Sequence, residues 1–296
     1  LERNIKLVDY ECLTDSNGGR LLGFGRYAGI VGCYNAFLAY GKRSGSFELK
    51  PAYQCLDRNE MESYLSQVSL PKDFKIVMTG MGRVAGGVIE IIEKLGIEKV
   101  SPTDFLEKKF DHPVIVQLSV EEYFRKPDGS VFKREEAFEH PERFESDFMK
   151  FARKADLYIT AHFWDANGPR IFTEENLAAE DFKISTIADI SCDIAGPIPS
   201  TTRPSTIEAP IYEVNRKKLK EVSESSADTV TVMAVDNLPC ELPKDASKDF
   251  GEELIKKVLP NLIGSDDEAV IERATIAQSG KLMPEFNYLQ DYVYGK

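Results

Sequence analysis

The sequence predicts a doubly wound α/β protein with a parallel, Rossmann-type sheet, and three observations carry that expectation. Short apolar runs alternate with helix-patterned segments between residues 75 and 235, as they do when strands and covering helices succeed one another. The run Lys75-Ile76-Val77-Met78-Thr79 passes directly into Gly80-Met81-Gly82-Arg83-Val84-Ala85 and then into a helix-spaced series, the order of a dinucleotide fingerprint. Later apolar runs stop at polar clusters, where open α/β sheets bind ligands.

The elements follow in order. Ile5 to Tyr10 reads as a short strand, with a turn at Asp15-Ser16-Asn17-Gly18-Gly19. Phe24 to Tyr40 is apolar and carries Gly25, Ala28, Gly29 and Gly32. Glycine costs a helix about 1 kcal/mol per residue, so this segment is either a loop or a helix with another backbone lying close on its small-residue face. We read it as a helix joining two domains. Asp57 to Val68 is a polar helix, and Lys75 to Thr79 a strand. Arg83 to Leu95 is a helix whose apolar positions recur at helical spacing and which Gly96 stops. Pro113 to Leu118 is a strand buried on both faces, and Asp128-Gly129 turns a small hairpin insertion. His140 to Lys154 reads as a helix with Phe144, Phe148 and Phe151 on a core-facing stripe. Asp156 to Ala161, Ser185 to Ile190 and Thr229 to Val235 are strands, and Glu174 to Ala179 a short helix. Ala246 to Val258 and Asp266 to Ser279 are the closing helices.

The chain has 296 residues, room for roughly two domains at about 100–200 residues each. Its 37 basic and 49 acidic residues give a net charge of -12, so nucleic acid and anionic membrane are poor partners. A small anionic cofactor held by a local site is not excluded by that repulsion. Five scattered cysteines without a Cys-x-x-Cys pair argue against a disulfide framework or a zinc site and suit a reducing cytoplasm. No apolar run reaches 18 residues and no signal peptide is visible. The chain opens at Leu1, without methionine, in a strand-like segment, and reads as starting inside a domain.

The glycine turn carries the chemistry. Gly80 permits the tight turn, Gly82 admits a diphosphate without a Cβ in the way, and Ala85 or Gly86 allows close packing of helix on strand. The helix start then offers free N–H groups and about half a positive charge. Met81, Arg83 and Val84 complete this candidate loop. The fingerprint places an acidic residue about 20 positions on for the adenosine ribose. Asp104 fills that place, or else caps the turn at Phe105-Leu106. NAD and NADP stay open, since no arginine cluster announces a phosphorylated ribose. Three strand ends follow, at His162 to Asp165, Asp189 to Asp193 and Val235 to Pro239. Asp189 and Asp193 would project into the cleft, although Asp193 serves equally as a turn former. His162 is a proton shuttle or a plain loop histidine, as nothing in the sequence pairs it with a carboxylate.

Several blocks resemble one family. Arg20 to Gly29, the glycine turn, His140-Pro141-Glu142-Arg143-Phe144 and Pro169-Arg170-Ile171-Phe172-Thr173 look like the lysine-forming saccharopine dehydrogenases. They are closer still to the lysine-ketoglutarate reductase module of the bifunctional lysine-degrading enzyme. Asp189 to Pro197, Ser205 to Glu208 and the stretch from Asp236 to Ser247 extend the likeness along nearly the whole chain. Alanine dehydrogenase and the transhydrogenase NAD-binding subunit are more distant relatives. The resemblance implies hydride transfer between NAD or NADP and the secondary amine of saccharopine, an adduct of lysine and 2-oxoglutarate. It implies two Rossmann-like domains, with residues 1–22 and 238–296 the remainder of a discontinuous substrate domain and residues 23–237 the joining helix and cofactor domain. It assigns Arg20 and Asp193 to the substrate and the backbone of Asn237 and Leu238 to the nicotinamide side. Its catalytic lysine and histidine would lie upstream of Leu1, so this chain is expected to bind cofactor yet turn over poorly. The partners expected are small molecules, with self-association open. An alanine-type amino-acid dehydrogenase and a non-catalytic NAD-sensing module are the alternative readings.

Overall fold

A computed structural model describes residues 1–295 and divides the chain into two compact units, one built from residues 1–24 and 244 onward, the other from Gly25–Pro243. In the first unit, β1 (Leu7–Val8) pairs antiparallel with β12 (Thr275–Gln278), which pairs with β13 (Lys281–Leu282). Leu13, Leu22, Val258, Val270, Ile271 and Ala274 form its core. The strand expected over residues 5–10 is cut short because the Asp9 carboxylate accepts from the Glu11 N–H at 2.9 Å and starts a 3-10 turn. The helix expected over residues 266–279 is also overturned. Only Val270–Arg273 is helical, and Thr275-Ile276 begin a strand. Ser279 and Gly280 both have positive φ (51° and 77°), which is the twist of a two-residue hairpin, and Ala277 faces Leu282 across it.

The second unit holds the predicted α/β architecture. Its elements run α1 (Gly25–Ser44), α2 (Arg58–Ser63), β2 (Lys75–Thr79), α3 (Arg83–Lys94), β3 (Glu98–Val100), α4 (Pro102–Glu107), β4 (Val114–Leu118) and α5 (Val120–Tyr123). There follow β5 (Phe124–Arg125), α6 (Arg134–Glu139), β6 (Glu145–Ser146), α7 (Met149–Ala152), β7 (Leu157–Thr160), α8 (Glu174–Ala178), β8 (Thr186–Asp189), β9 (Ile211–Asn215), β10 (Glu221–Val222) and β11 (Thr229–Met233). Eight strands form one sheet in the order β10-β9-β11-β8-β7-β2-β4-β3. From β11 to β3 every neighbouring pair is parallel, while β9 and β10 add antiparallel strands at one side. Central strands such as Val114-Ile115-Val116 and Leu157-Tyr158-Ile159 are fully buried, which explains their unbroken apolar sequences. After β2 the chain builds β3 and β4 on one side, then returns past β2 to build β7 and β8 on the other. The switch point therefore lies between β2 and β7, directly above the glycine turn.

The helix expected over residues 140–154 does not form. Proline lacks an N–H and disfavours helical backbone in the residue before it, and His140, before Pro141, sits at φ -136°, ψ 59° and ends α6. The chain then makes a short 3-10 turn, pairs β6 with β5, and re-enters a helix at α7. Phe144, Phe148 and Phe151 are nonetheless buried, Phe144 at the end of the 3-10 turn, Phe148 at the N-cap of α7 and Phe151 within it, so the three do not share one helical stripe.

The small-residue segment is helical. α1 packs on α3 and against β7, β8 and β11. A Cβ added at Gly29 would overlap the Val84 carbonyl oxygen of α3, and one at Gly87 would overlap the Arg26 carbonyl oxygen of α1. Gly87 makes the close approach of α3 to α1, whereas Gly86 faces open space and Ala85 is fully buried. Charge secures the same contact: Arg26 Nε lies 2.6 Å from Glu90 Oε1 and Arg58 Nη2 2.8 Å from Glu90 Oε2. Two adjacent glycines should therefore respond with opposite signs. Gly87→Ala should destabilise the fold by about 3 kcal/mol through overpacking, while Gly86→Ala should leave it unchanged or stabilise it by up to about 1 kcal/mol, as read by urea unfolding.

Candidate cofactor site

The turn after β2 is built from both of its neighbours. Gly80 has φ +114°, and a Cβ there would overlap the Ala161 carbonyl oxygen at the end of β7, so only glycine fits. The Gly80 N–H donates to the Leu118 carbonyl at 2.9 Å, and Gln117 Nε2 donates to the Gly80 carbonyl at 2.9 Å, which ties the turn to β4. Gly82 is the N-cap of α3 at φ -89° with no side chain to cap it, and nothing lies within 4 Å of where its Cβ would be. The first rung of α3 runs from the Gly86 N–H to the Gly82 carbonyl at 3.0 Å, so the amides of residues 83–85 precede the helical ladder. No acidic residue occupies the first turn. Uncapped amides, a positive helix end and empty space over Gly82 fit a phosphate group. Met81, Gly82 and Arg83 are exposed, and Val84 is half-buried beneath α1.

A cavity of about 300 Å³ adjoins this turn. Gly80, Met81 and Gly82 form one side, Ser119 at the end of β4 another, and His162 after β7 a third. Aromatic side chains, among them Tyr123, Phe138, Phe144 and Trp164, close it, with Arg134 and Asp165 contributing charge. Ser119 is held by Glu122, whose Oε2 accepts from both the Ser119 N–H (2.6 Å) and its hydroxyl (2.9 Å). His162 has a partner after all, and it is not a carboxylate: its Nδ1 lies 2.7 Å from Thr79 Oγ1, which lies 2.9 Å from the Tyr158 hydroxyl. Burial pushes the His162 ring down to about 4, so it is neutral at physiological pH. The sequence signal for this wall is faint, because its aromatics come from separate segments around residues 123, 138, 144 and 164.

The remaining candidates are spread over the two units. Asp189 does not project into a cleft. It is fully buried and accepts from the Thr160 hydroxyl (2.7 Å), the Thr201 hydroxyl (2.6 Å) and the Cys192 N–H (3.2 Å), a brace for the strand ends. Asp193 is half-buried on the next turn of chain, and burial raises its carboxyl. Asp104 sits in α4 with Lys108 Nζ 2.9 Å from its carboxylate. It follows β3, which β4 separates from β2, and it does not line the cavity. Asn237 is exposed and Leu238 buried after β11, on the sheet edge shared with the glycine turn, since β11, β8, β7 and β2 run parallel. Arg20 belongs to the other unit, where it is bridged to Thr14 and lies 3.7 Å from Glu11.

The turn after Asn237 carries a feature the sequence did not suggest. Glu241 is buried, and its Oε1 accepts from Asn35 Nδ2 of α1 at 2.7 Å. Burial raises its carboxyl to about 7, against the lowering effect of Asn35 and the Tyr53 N–H, with Glu208 raising it slightly further. Among the described residues Asn35 Oδ1 has no donor.

An uncapped helix start above the switch point of a parallel sheet defines a Rossmann-type α/β protein. No family model matches the chain. Among curated proteins, the mitochondrial alpha-aminoadipic semialdehyde synthase of Mus musculus is 27% identical over 340 residues, spanning 98% of this chain and 36% of the relative. The lysine-forming, NAD+-dependent saccharopine dehydrogenase of Candida glabrata is 25% identical over 271 residues, spanning 85% of this chain and 60% of the relative. Among solved structures, an L-alanine dehydrogenase superposes with a TM-score of 0.54 at 14% identity, covering 98% of this chain and 70% of that one. The chain is a distant homologue of the lysine-forming saccharopine dehydrogenases and semialdehyde synthases, with an alanine dehydrogenase-like fold. It spans about a third to three-fifths of the length of these curated relatives.

The Glu241 carboxyl gives a pH signature. Its folded value lies above its unfolded one, so its contribution is fully present below about pH 4.5 and is lost as pH rises through about 7. Glu241→Gln should remove this loss, flattening the stability between pH 5 and pH 8 by about 3 kcal/mol relative to the parent. Denaturant melts across that range read the difference.

Proposed function

We propose that the Gly25–Pro243 unit binds NAD or NADP with its diphosphate over Gly82 and the first amides of α3, and that the native protein is an oxidoreductase acting on the CH–NH bond of saccharopine. The observation that carries the reading is the open, uncapped helix start at the switch point. The substrate class is supported by relatives whose names describe lysine-forming saccharopine dehydrogenation. When bound, the nicotinamide supplies the hydride acceptor or donor. The chain's own contribution is positioning: the Gly80 turn fixes the diphosphate, and the adenosine side enters the aromatic cavity. Ser119, at the end of the strand adjacent to β2, takes the ribose-facing place that spacing alone gave to Asp104. Asn237 and Leu238 border the nicotinamide side. Arg20 and Asp193 are assigned to the substrate, with Arg20 as a two-pronged partner for a carboxylate.

Two measurements test this reading. Calorimetry with NADH and NADPH should show binding to the chain, and Gly82→Val should weaken it by about 100-fold or more, a loss of the order seen when a close charge-assisted contact is removed. The variant should melt like the parent, because φ at Gly82 suits any residue and its Cβ meets nothing. Retained affinity would remove the glycine turn from the site. In the full-length protein, oxidation of NAD(P)H should require lysine and 2-oxoglutarate together; dependence on pyruvate and ammonia would replace the substrate assignment.

A further inference from the structure

Of the buried side-chain atoms without a hydrogen-bond partner among the described residues, His162 Nε2 is the one belonging to a residue of the cavity wall. The proton positions around it follow from its neighbours. Tyr158 is fully buried, and burial raises its phenol far above the ordinary range, so it keeps its proton and needs an acceptor. Thr79 Oγ1, 2.9 Å away, is that acceptor. The Thr79 hydroxyl then has its own proton to place, and His162 Nδ1 at 2.7 Å receives it. A neutral imidazole that accepts at Nδ1 carries its proton on Nε2. Every proton in the row is then used except the last. The reverse arrangement, with Nδ1 donating, would leave a hydroxyl proton of Thr79 or Tyr158 buried and unused.

We propose that His162 is a specificity-determining residue of this cavity, donating from Nε2–H to a ring nitrogen of a purine base seated among the aromatic side chains. The inference rests on the dinucleotide reading above and assigns a role within it. Tyr123, Phe138, Phe144 and Trp164 give a flat ring apolar faces to lie against, but such surfaces hold any aromatic ring alike. A donor of fixed tautomer discriminates among rings, because a ligand lacking the acceptor leaves a buried N–H unpaired. Thr79 and Tyr158 are positioning residues here, since they set the tautomer through Nδ1 and do not touch the base.

The test uses ADP, which carries the base and diphosphate without the nicotinamide, and its 1-deaza, 3-deaza and 7-deaza analogues, each with one ring nitrogen replaced by C–H. On the parent chain, one analogue should bind about tenfold more weakly than ADP. His162→Phe should bind ADP about tenfold more weakly and lose the discrimination, while His162→Gln, which can present an N–H at the Nε2 position, should restore part of it. A histidine with only a packing role would leave the pattern across the analogues unmoved. If the parent chain binds ADP and all three analogues equally, the role of His162 falls and the cofactor reading stands. If it does not bind ADP at all, both fall.

Discussion

Helix α3 can aim its first turn at the switch point of the sheet because α1 crosses it with no side chain between the two backbones. The Gly29 and Gly87 contacts bring each helix against a carbonyl oxygen of the other, and an interior packed this tightly does not yield to an added methyl without moving one of the helices. The carboxylate of Glu90, held by Arg26 and Arg58 from two separate helices, fixes the same geometry from the rim. The glycines of α1 are costly for helix propensity, and this contact is what offsets that cost. The position of the uncapped α3 amides is therefore set some distance from the amides themselves.

The site is also a local electrical exception. A chain of net charge -12 repels anions at long range, yet the first turn of α3 sets Arg83 beside the helix's own positive end and holds no acidic side chain. Burial keeps His162 uncharged, so it offers the cavity a hydrogen bond and no charge. On the proposed reading, the cavity would recognise a base through shape and a hydrogen-bond donor, while the turn would recognise the diphosphate through aligned amides.

The legible parts of this protein were those encoded by neighbours in sequence. β2, the turn and α3 follow one another without interruption, so periodicity, glycine placement and the stop at Gly96 located them closely. What neighbours in sequence do not encode comes from contacts distant along the chain. Asp104 stood at the expected spacing, but β4 is inserted between β3 and β2, and spacing along a chain says nothing of strand order. The three phenylalanines at 144, 148 and 151 are buried as expected, yet Pro141 divides the segment that carries them, and Phe144 lines the cavity while Phe148 and Phe151 fill the core behind the sheet. The Tyr158–Thr79–His162 row joins two parallel strands side by side and leaves no trace in either strand alone. Asp189 reads as a cleft residue because it ends an apolar run, and the two hydroxyls that hold it, of Thr160 and Thr201, come from elsewhere in the chain.

Amide chemical shifts of the isotopically labelled chain during titration with NADH and NADPH address the central claim most directly. The account predicts that the resonances of Gly82, Arg83, Val84 and Ala85 move first and furthest, with saturation, as their N–H groups meet the diphosphate. Large saturable shifts confined to other residues, with these four amides still, would contradict it.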